Sequence, residues 1–369
     1  MTPEALRGYI LEEAIAFLVR GSGYELLTVA DDPEALRMRH NGLNVRGRGA
    51  EHQADVLGEL RWTPAFSYPI RLFVEAKHRR KPVELEEIRE AVGILADLNS
   101  RYAPGPKPHR PARRHSYKYA FFSVSGFSES ATGYALAHEV SLVDLRASGF
   151  GPLTKAVSVA TRDMAPDLAE LGAAGVHPLA MLRATLRGAL GRDSGPKGVP
   201  QRVRAYELWR EVGDAVRRGK DEMPDAFVRL AVAALSLASK LRYEEPMLIG
   251  MPEAPFVLAL RPGSMEDFRR YALEHGDHRV LLRPEFSGGR VEVTVLPMDR
   301  PSAYGLTFGL PAALEEYVLR EGGDVRERLQ RLKRFAFSHI TVGYQGGDGE
   351  DRLVRLMYHP RERSEVGWK

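Results

Sequence analysis

The chain has 369 residues, with 53 lysines and arginines against 49 aspartates and glutamates, a formal net charge of +4 and no cysteine. That length exceeds what one core usually serves, so two or more domains are expected, and so even a charge balance names no partner by itself. Without cysteine, disulfides and thiolate-held zinc are excluded, which suits a reducing compartment.

The segment from about residue 3 to 20 reads as a helix with Leu6, Ile10, Ala14, Phe17 and Leu18 as its buried stripe, stopped by Gly21 and Gly23. Acids inside it argue against a secretory leader, and no run is long enough to span a bilayer, so a cytoplasmic chain without membrane contact is expected. Residues 53–62, "QADVLGELRW", read as one strand, followed by a turn region containing Pro64 and Pro69. Residues 71–77, "RLFVEAK", form the next strand, with Leu72, Val74 and Ala76 on one face and Phe73, Glu75 and Lys77 on the other. After Pro82, Ile88, Val92 and Leu95 mark an amphipathic helix with acids in its first turn.

The next segment, "RYAPGPKPHRPARRHSYK", holds Arg101, Lys107, Arg110, Arg113, Arg114 and Lys118 and no acid. It reads either as a solvated linker or as an arm for polyanions. "YAFFSVSG", the serine-capped "SESATGYALAHE" and "VSLVDL" make a strand-helix-strand unit, which requires parallel pairing. The first half is therefore expected to be α/β, a mixed sheet flanked by helices.

Beyond residue 150 the composition turns helical, with Leu230 to Leu237 expected as a well-buried helix, and from about residue 246 it turns β-rich. Strand "FVLALRP", a helix and the hairpin "RVLLRPEFSGGRVEVTVLP" match the later "YGLTFGLP", helix, inserted helix and hairpin "HITVGYQGGDGEDRLVRLMYHP", a possible βαββ repeat. The expected division is 1–158, a helical region 159–245 and a smaller α+β domain 246–369. His275 and His278 lie three apart without a third ligand and read as surface-helix residues.

An antiparallel hairpin turning near residues 65 and 66 would set Asp55 opposite positions 76 and 77, so Asp55, Glu75 and Lys77 converge. Two carboxylates together are costly without a cation, and a hard divalent ion such as Mg²⁺, with Mn²⁺ able to substitute, takes one or two carboxylates, a carbonyl and waters. The carbonyl of Ala76 is the natural third protein ligand. A lysine beside such an ion orients a water and offsets charge on an attacked phosphate, which is hydrolytic chemistry. Arg46 and Arg48 before the first strand, and Arg79, Arg80 and Lys81 after the second, are expected at the same end, as phosphate contacts.

These stretches, from "GYILEEAIAFLVRGSGYELL" and "GRGAEHQADVLGEL" through "LFVEAKHRRKPVELEEIREAVGILADL" to "YAFFSVSGFSESATGYALAHEVSLVDL", resemble the Mrr-type branch of the PD-(D/E)xK nuclease superfamily over roughly residues 5 to 146. The resemblance implies a restriction-endonuclease-like fold and a Mg²⁺-dependent deoxyribonuclease of restriction or phage defence. It makes Asp55 and Glu75 metal ligands and Lys77 the catalytic lysine. It also matches Glu12 to the family's glutamate on the first helix and Gln53 to a position often filled by a polar residue. Ala54 stands where the family usually has proline. A helical wheel sets Glu12 opposite the buried stripe and Glu13 nearer its edge. Two other readings stay open: a DNA-binding or sensing module of the same fold without cleavage, and a nuclease of repair or branched DNA. The second half, without a catalytic cluster of its own, is expected to select targets, meet a protein partner or form a homodimer.

Overall fold

The computed structural model describes residues 1–39, 42–63, 66–100, 114–173, 175, 177–191, 225–244, 246–254, 256–287, 290–320, 322, 324–347 and 350–360. Helix α1 (Pro3–Gly21) starts with Pro3 in its first turn and the Thr2 hydroxyl accepting from the Ala5 N–H at 3.2 Å. Its burial is wider than a single stripe. Leu6, Ile10, Leu11, Ala14, Ile15, Ala16, Leu18 and Val19 are all inside, because a sheet, two further helices and the C-terminal half pack around it.

Strands β1 (Tyr24–Leu26), β2 (Leu36–Arg39), β3 (Gly42–Arg46), β4 (Glu51–Ala54), β5 (Val56–Leu60) and β6 (Ile70–Lys77) come next. Helix α2 (Leu85–Asn99), β7 (Ser116–Ser123), α3 (Glu129–Ala137) and β8 (Val140–Asp144) complete the first half. The five-stranded sheet has the order β1-β5-β6-β7-β8, and β2, β3 and β4 form a separate three-stranded sheet. β5 and β6 pair antiparallel, while β6–β7 and β7–β8 pair parallel, with α2 and α3 as crossovers, as the strand-helix-strand pattern requires.

One face, with Phe73, Tyr119 and Phe121, packs on Ile88 and Ala91 of α2 and Ala131 and Ala135 of α3. The other, with Val56, Val74, Ala120 and Phe122, packs on α1. "QADVLGELRW" is not one strand. The ladder breaks at Asp55, where the chain leaves the three-stranded sheet for the five-stranded one.

Helices α4 (Gly151–Ala173) and α5 (Pro178–Leu190) pack on α1, α6 (Asp225–Ser239) packs on α4 and α5, and Met164, Leu182, Leu186, Phe227 and Leu230 share one core with Ile10 and Ile15. The expected boundary at 158/159 therefore falls inside α4. The helix expected at Leu230 to Leu237 is buried on one side only: Leu230, Ala234 and Leu237 face the core, whereas Val232 and Leu235 are exposed.

The C-terminal half adds β9 (Leu248–Pro252), β10 (Leu258–Pro262), α7 (Met265–Glu274), β11 (Asp277–Ser287), β12 (Arg290–Pro297), β13 (Leu306–Gly309), α8 (Ala312–Leu319), α9 (Val325–Phe335), β14 (His339–Gln345) and β15 (Asp351–Tyr358). The element order contains the two expected βαββ units, but β9 precedes them as a strand the sequence reading did not expect, and the pairing is not two-fold. The strands close a barrel in the order β10-β13-β12-β11-β15-β14-β9, with β11 and β15 parallel and β9 bridging β10 and β14.

His278 is no surface residue: it is 1% exposed, bonded to the Tyr304 hydroxyl at 2.7 Å, and burial pushes its pKa down to about 4. The barrel seats directly on the first half, and a side chain at Gly343 would collide with the Ser22 carbonyl. No helix among the described residues is long and apolar enough to cross a membrane.

Candidate active site

Asp55 sits at the corner between β4 and β5. Its N–H donates to the Val74 carbonyl at 3.1 Å and its Oδ2 accepts from the Ala76 N–H at 2.8 Å. The register pairs Val56 with Val74, so Asp55 stands level with Glu75, one to two residues short of the expected 76 and 77. Ala76 meets Asp55 through its N–H, not the carbonyl expected to bind metal.

Glu75 points to the face of Phe73. Its carboxylate accepts from the Tyr119 hydroxyl, and the Lys77 Nζ lies 2.5 Å away. Tyr119 is positioned by β7, whose parallel register sets it beside Phe73, the rings stacking with centroids 5.0 Å apart.

Glu12, on α1, is drawn into the same group. It is partly buried, 3.5 Å from the Arg183 Nη2 of α5, and Arg183 in turn lies 5.2 Å over the Tyr9 ring. The wheel's expectation failed here because α5 covers that flank of α1. Neighbouring Glu13 is buried as well, paired with Arg187 at 3.1 Å. Burial pushes the Glu12 carboxyl up to about 7, with the Asp55 charge adding to the rise and Arg183 opposing it. Burial likewise raises Asp55 to about 6, and Glu75 adds to that, against the Ala76 N–H, Lys77 and Arg183. For Lys77 burial pulls the pKa down, but the hydrogen bond and charge of Glu75, with Asp55, leave it above the ordinary lysine value.

Asp55 thus lies between two other carboxylates, Glu12 and Glu75, and burial and their charge raise it despite Lys77 and Arg183. Hard oxygen donors with unmet negative charge fit a divalent cation chemically. Among the described residues, however, no three such side chains stand in ligating positions, Glu75 being held by Lys77 and Tyr119 instead.

The other expected site residues lie elsewhere. Gln53 is exposed on β4 opposite Asn44, its amide beside Gly42. Arg46 ends β3 opposite Glu51, and Arg48 is exposed in a turn pinned to the C-terminal end of α2, where Asp97 accepts from the Gly49 and Ala50 N–H groups. Arg79 is bonded to Glu87 in the first turn of α2 and to the Lys81 and Pro82 carbonyls, beside exposed Arg80 and Lys81. From Glu87 to Asp97 the helix rises roughly 15 Å. The two basic groups therefore occupy opposite ends of α2, not one end. Arg114 is exposed over the Tyr68 ring, while Arg110 and Arg113 fall outside the described residues.

Sequence reading missed Arg183 and Tyr119. For Tyr119 a signal existed: alternation in "YKYAFFS" puts it on the inner face, where a buried hydroxyl needs a partner. For Arg183 there was none, because its partner is far away along the chain.

No family model matches the chain, and no curated protein matches it. A solved crystal structure of a protein of unknown function, AF1548, aligns over 56% of this chain and 97% of its own, at 15% identity and a TM-score of 0.27. A likeness that low carries neither fold nor function to this protein.

Proposed function

We propose that the first half of the chain is a metal-dependent endodeoxyribonuclease of the PD-(D/E)xK kind, with a restriction-endonuclease-like core, hydrolysing DNA phosphodiester bonds. The observation that carries this reading is the position of Asp55, which feels the charge of Glu12 from α1 and of Glu75 and Lys77 from β6, so that one carboxylate links the other two and the lysine. The mixed five-stranded sheet with helices on both faces supports it too.

Asp55 and Glu75 would hold the ion, and a bound Mg²⁺ or Mn²⁺ would supply a Lewis acid and a more acidic water. Lys77, whose pKa is raised so that it stays protonated at neutral pH, would offset the charge that builds on an attacked phosphate and would donate a hydrogen bond there. Glu12, raised to about 7 and adjoining Asp55, would be able to take up a proton near neutral pH. Arg183 holds Glu12 in place. A role in restriction or phage defence follows from family analogy.

The test is incubation of the full-length protein with plasmid, linear duplex, single-stranded DNA and RNA, in Mg²⁺ or EDTA. Metal-dependent DNA cleavage is expected, with Asp55→Ala and Lys77→Ala each losing ~10²-fold or more. Wild-type rates from the Lys77 variant would sink the mechanism. DNA binding without cleavage by the wild type would select the binding-module reading.

A further inference from the structure

The hairpin that carries Asp55 and Glu75 ends, at its far tip, in three aromatic side chains with no core to fill. Trp62 is 59% exposed, Tyr68 52%, and Phe66 fully exposed. β5 ends at Leu60 and β6 begins at Ile70, so Trp62 lies two residues past one strand and Tyr68 and Phe66 two and four residues before the other, in the segment that joins them.

Phe66 has φ of 62°, a left-handed conformation that is costly for a bulky residue and that a turn would normally give to Gly or Asn. Such a residue keeps its ring in water at a backbone penalty, against both hydrophobic burial and turn preference. Cationic charge adjoins the rings: Arg114 lies 5.9 Å over the Tyr68 ring and donates to its hydroxyl at 3.4 Å. On the other side the tip is anchored, the Arg61 N–H donating to the Gly23 carbonyl at 3.1 Å and its guanidinium pairing with Asp351 of the barrel.

Exposed rings on a fixed hairpin beside arginine are the chemistry that takes unpaired nucleobases. Every base offers a π-face and its phosphate meets the cation, whereas a duplex keeps its faces stacked inside. The geometry points to the β5–β6 tip as a stacking platform for single-stranded or unpaired DNA. Glu75 lies five residues into β6 from Ile70, roughly 17 Å at strand rise, and Tyr68 precedes that strand, so the platform is remote from the candidate chemistry. It deepens the nuclease reading, on which it rests for the strand being a substrate, by naming DNA with unpaired bases as the class engaged.

The experiment measures binding of full-length protein in EDTA to fluorescein-labelled dT20 and to a 20-base-pair duplex, so it does not depend on cleavage. Trp62→Ala and Phe66→Ala should each weaken dT20 roughly ten-fold and leave the duplex unchanged, the scale of one lost base stack. Phe66→Asn, suited to positive φ, should lose as much without disturbing the turn, and Phe66→Tyr should retain wild-type affinity. Arg114→Ala should lower the log-log salt slope on dT20 by about 0.7, a change the ring variants lack.

Unchanged dT20 affinity in the ring variants, or equal losses on dT20 and duplex, would overturn the platform. So would loss of a self-associated species on sedimentation with DNA affinity intact, since the rings would then be a contact between copies. An absence of any cleavage alongside these losses would remove the nuclease reading and leave the platform standing.

Discussion

Replacing Glu12 by glutamine keeps its shape and removes a charge that the fold holds at a cost. The carboxyl is raised in the folded protein from 4.5 to about 7, chiefly by burial and then by Asp55. Between those values the folded state keeps a proton that the unfolded chain has released, so stability falls as pH rises through this window and the whole penalty is present above pH 7. A shift of that size corresponds to about 3 kcal/mol. The net rise already includes the opposing attraction of Arg183. Without divalent metal, Glu12→Gln should therefore be more stable than wild type at pH 8 by up to about 3 kcal/mol, and no more stable near pH 4.5.

Urea unfolding followed by circular dichroism reads this directly. With a slope of about 3 kcal/mol per molar, the midpoint at pH 8 should rise by up to about 1 M. Adding Mg²⁺ should raise the wild-type midpoint more than the variant's, because the ion relieves a repulsion that the variant lacks. A variant less stable than wild type at pH 8, or a difference that ignores pH, would refute the account of this pocket as short of positive charge.

Arg71 is 0% exposed and held by Asp32 and Glu59, each at 2.9 Å, and by the Tyr117 hydroxyl at 3.1 Å; Arg71→Met should cost about 3–5 kcal/mol in thermal or urea unfolding, since two carboxylates lose their partner. Gly343→Ala would put a methyl group 2.1 Å from the Ser22 carbonyl, so β14 must part from α1, and limited proteolysis should cut between the two halves faster than in wild type. A fragment ending at residue 158 severs α4 and uncovers Ile10, Ile15 and Leu11 of α1; it should be insoluble or bind hydrophobic dyes, and a soluble, cooperatively melting 1–158 would contradict the shared core.

The alternation in residues 71–77 and the strand-helix-strand pattern near residues 119–145 were readable from sequence alone, because periods of 2 and 3.6 dictate which side chains share a face. So were the order of the elements after β9 in the C-terminal half and the nearness of Asp55, Glu75 and Lys77, which a single hairpin brings together. Register was less secure. A strand read as continuous from Gln53 to Trp62 breaks at Asp55, because that residue's bonds to Val74 and Ala76 turn the chain from one sheet into another.

Tertiary structure alone decided the rest. Helical periodicity assigned Glu12 to solvent and had no means to know that Arg183, delivered by α5, would cover it. The two βαββ units carried no sign that β9 would enter between β10 and β14, or that β11 would take β15 in parallel, which together close the barrel. Local pattern fixes the face a side chain presents, whereas the element that meets that face comes from far along the chain and depends on how all the buried surfaces are satisfied at once.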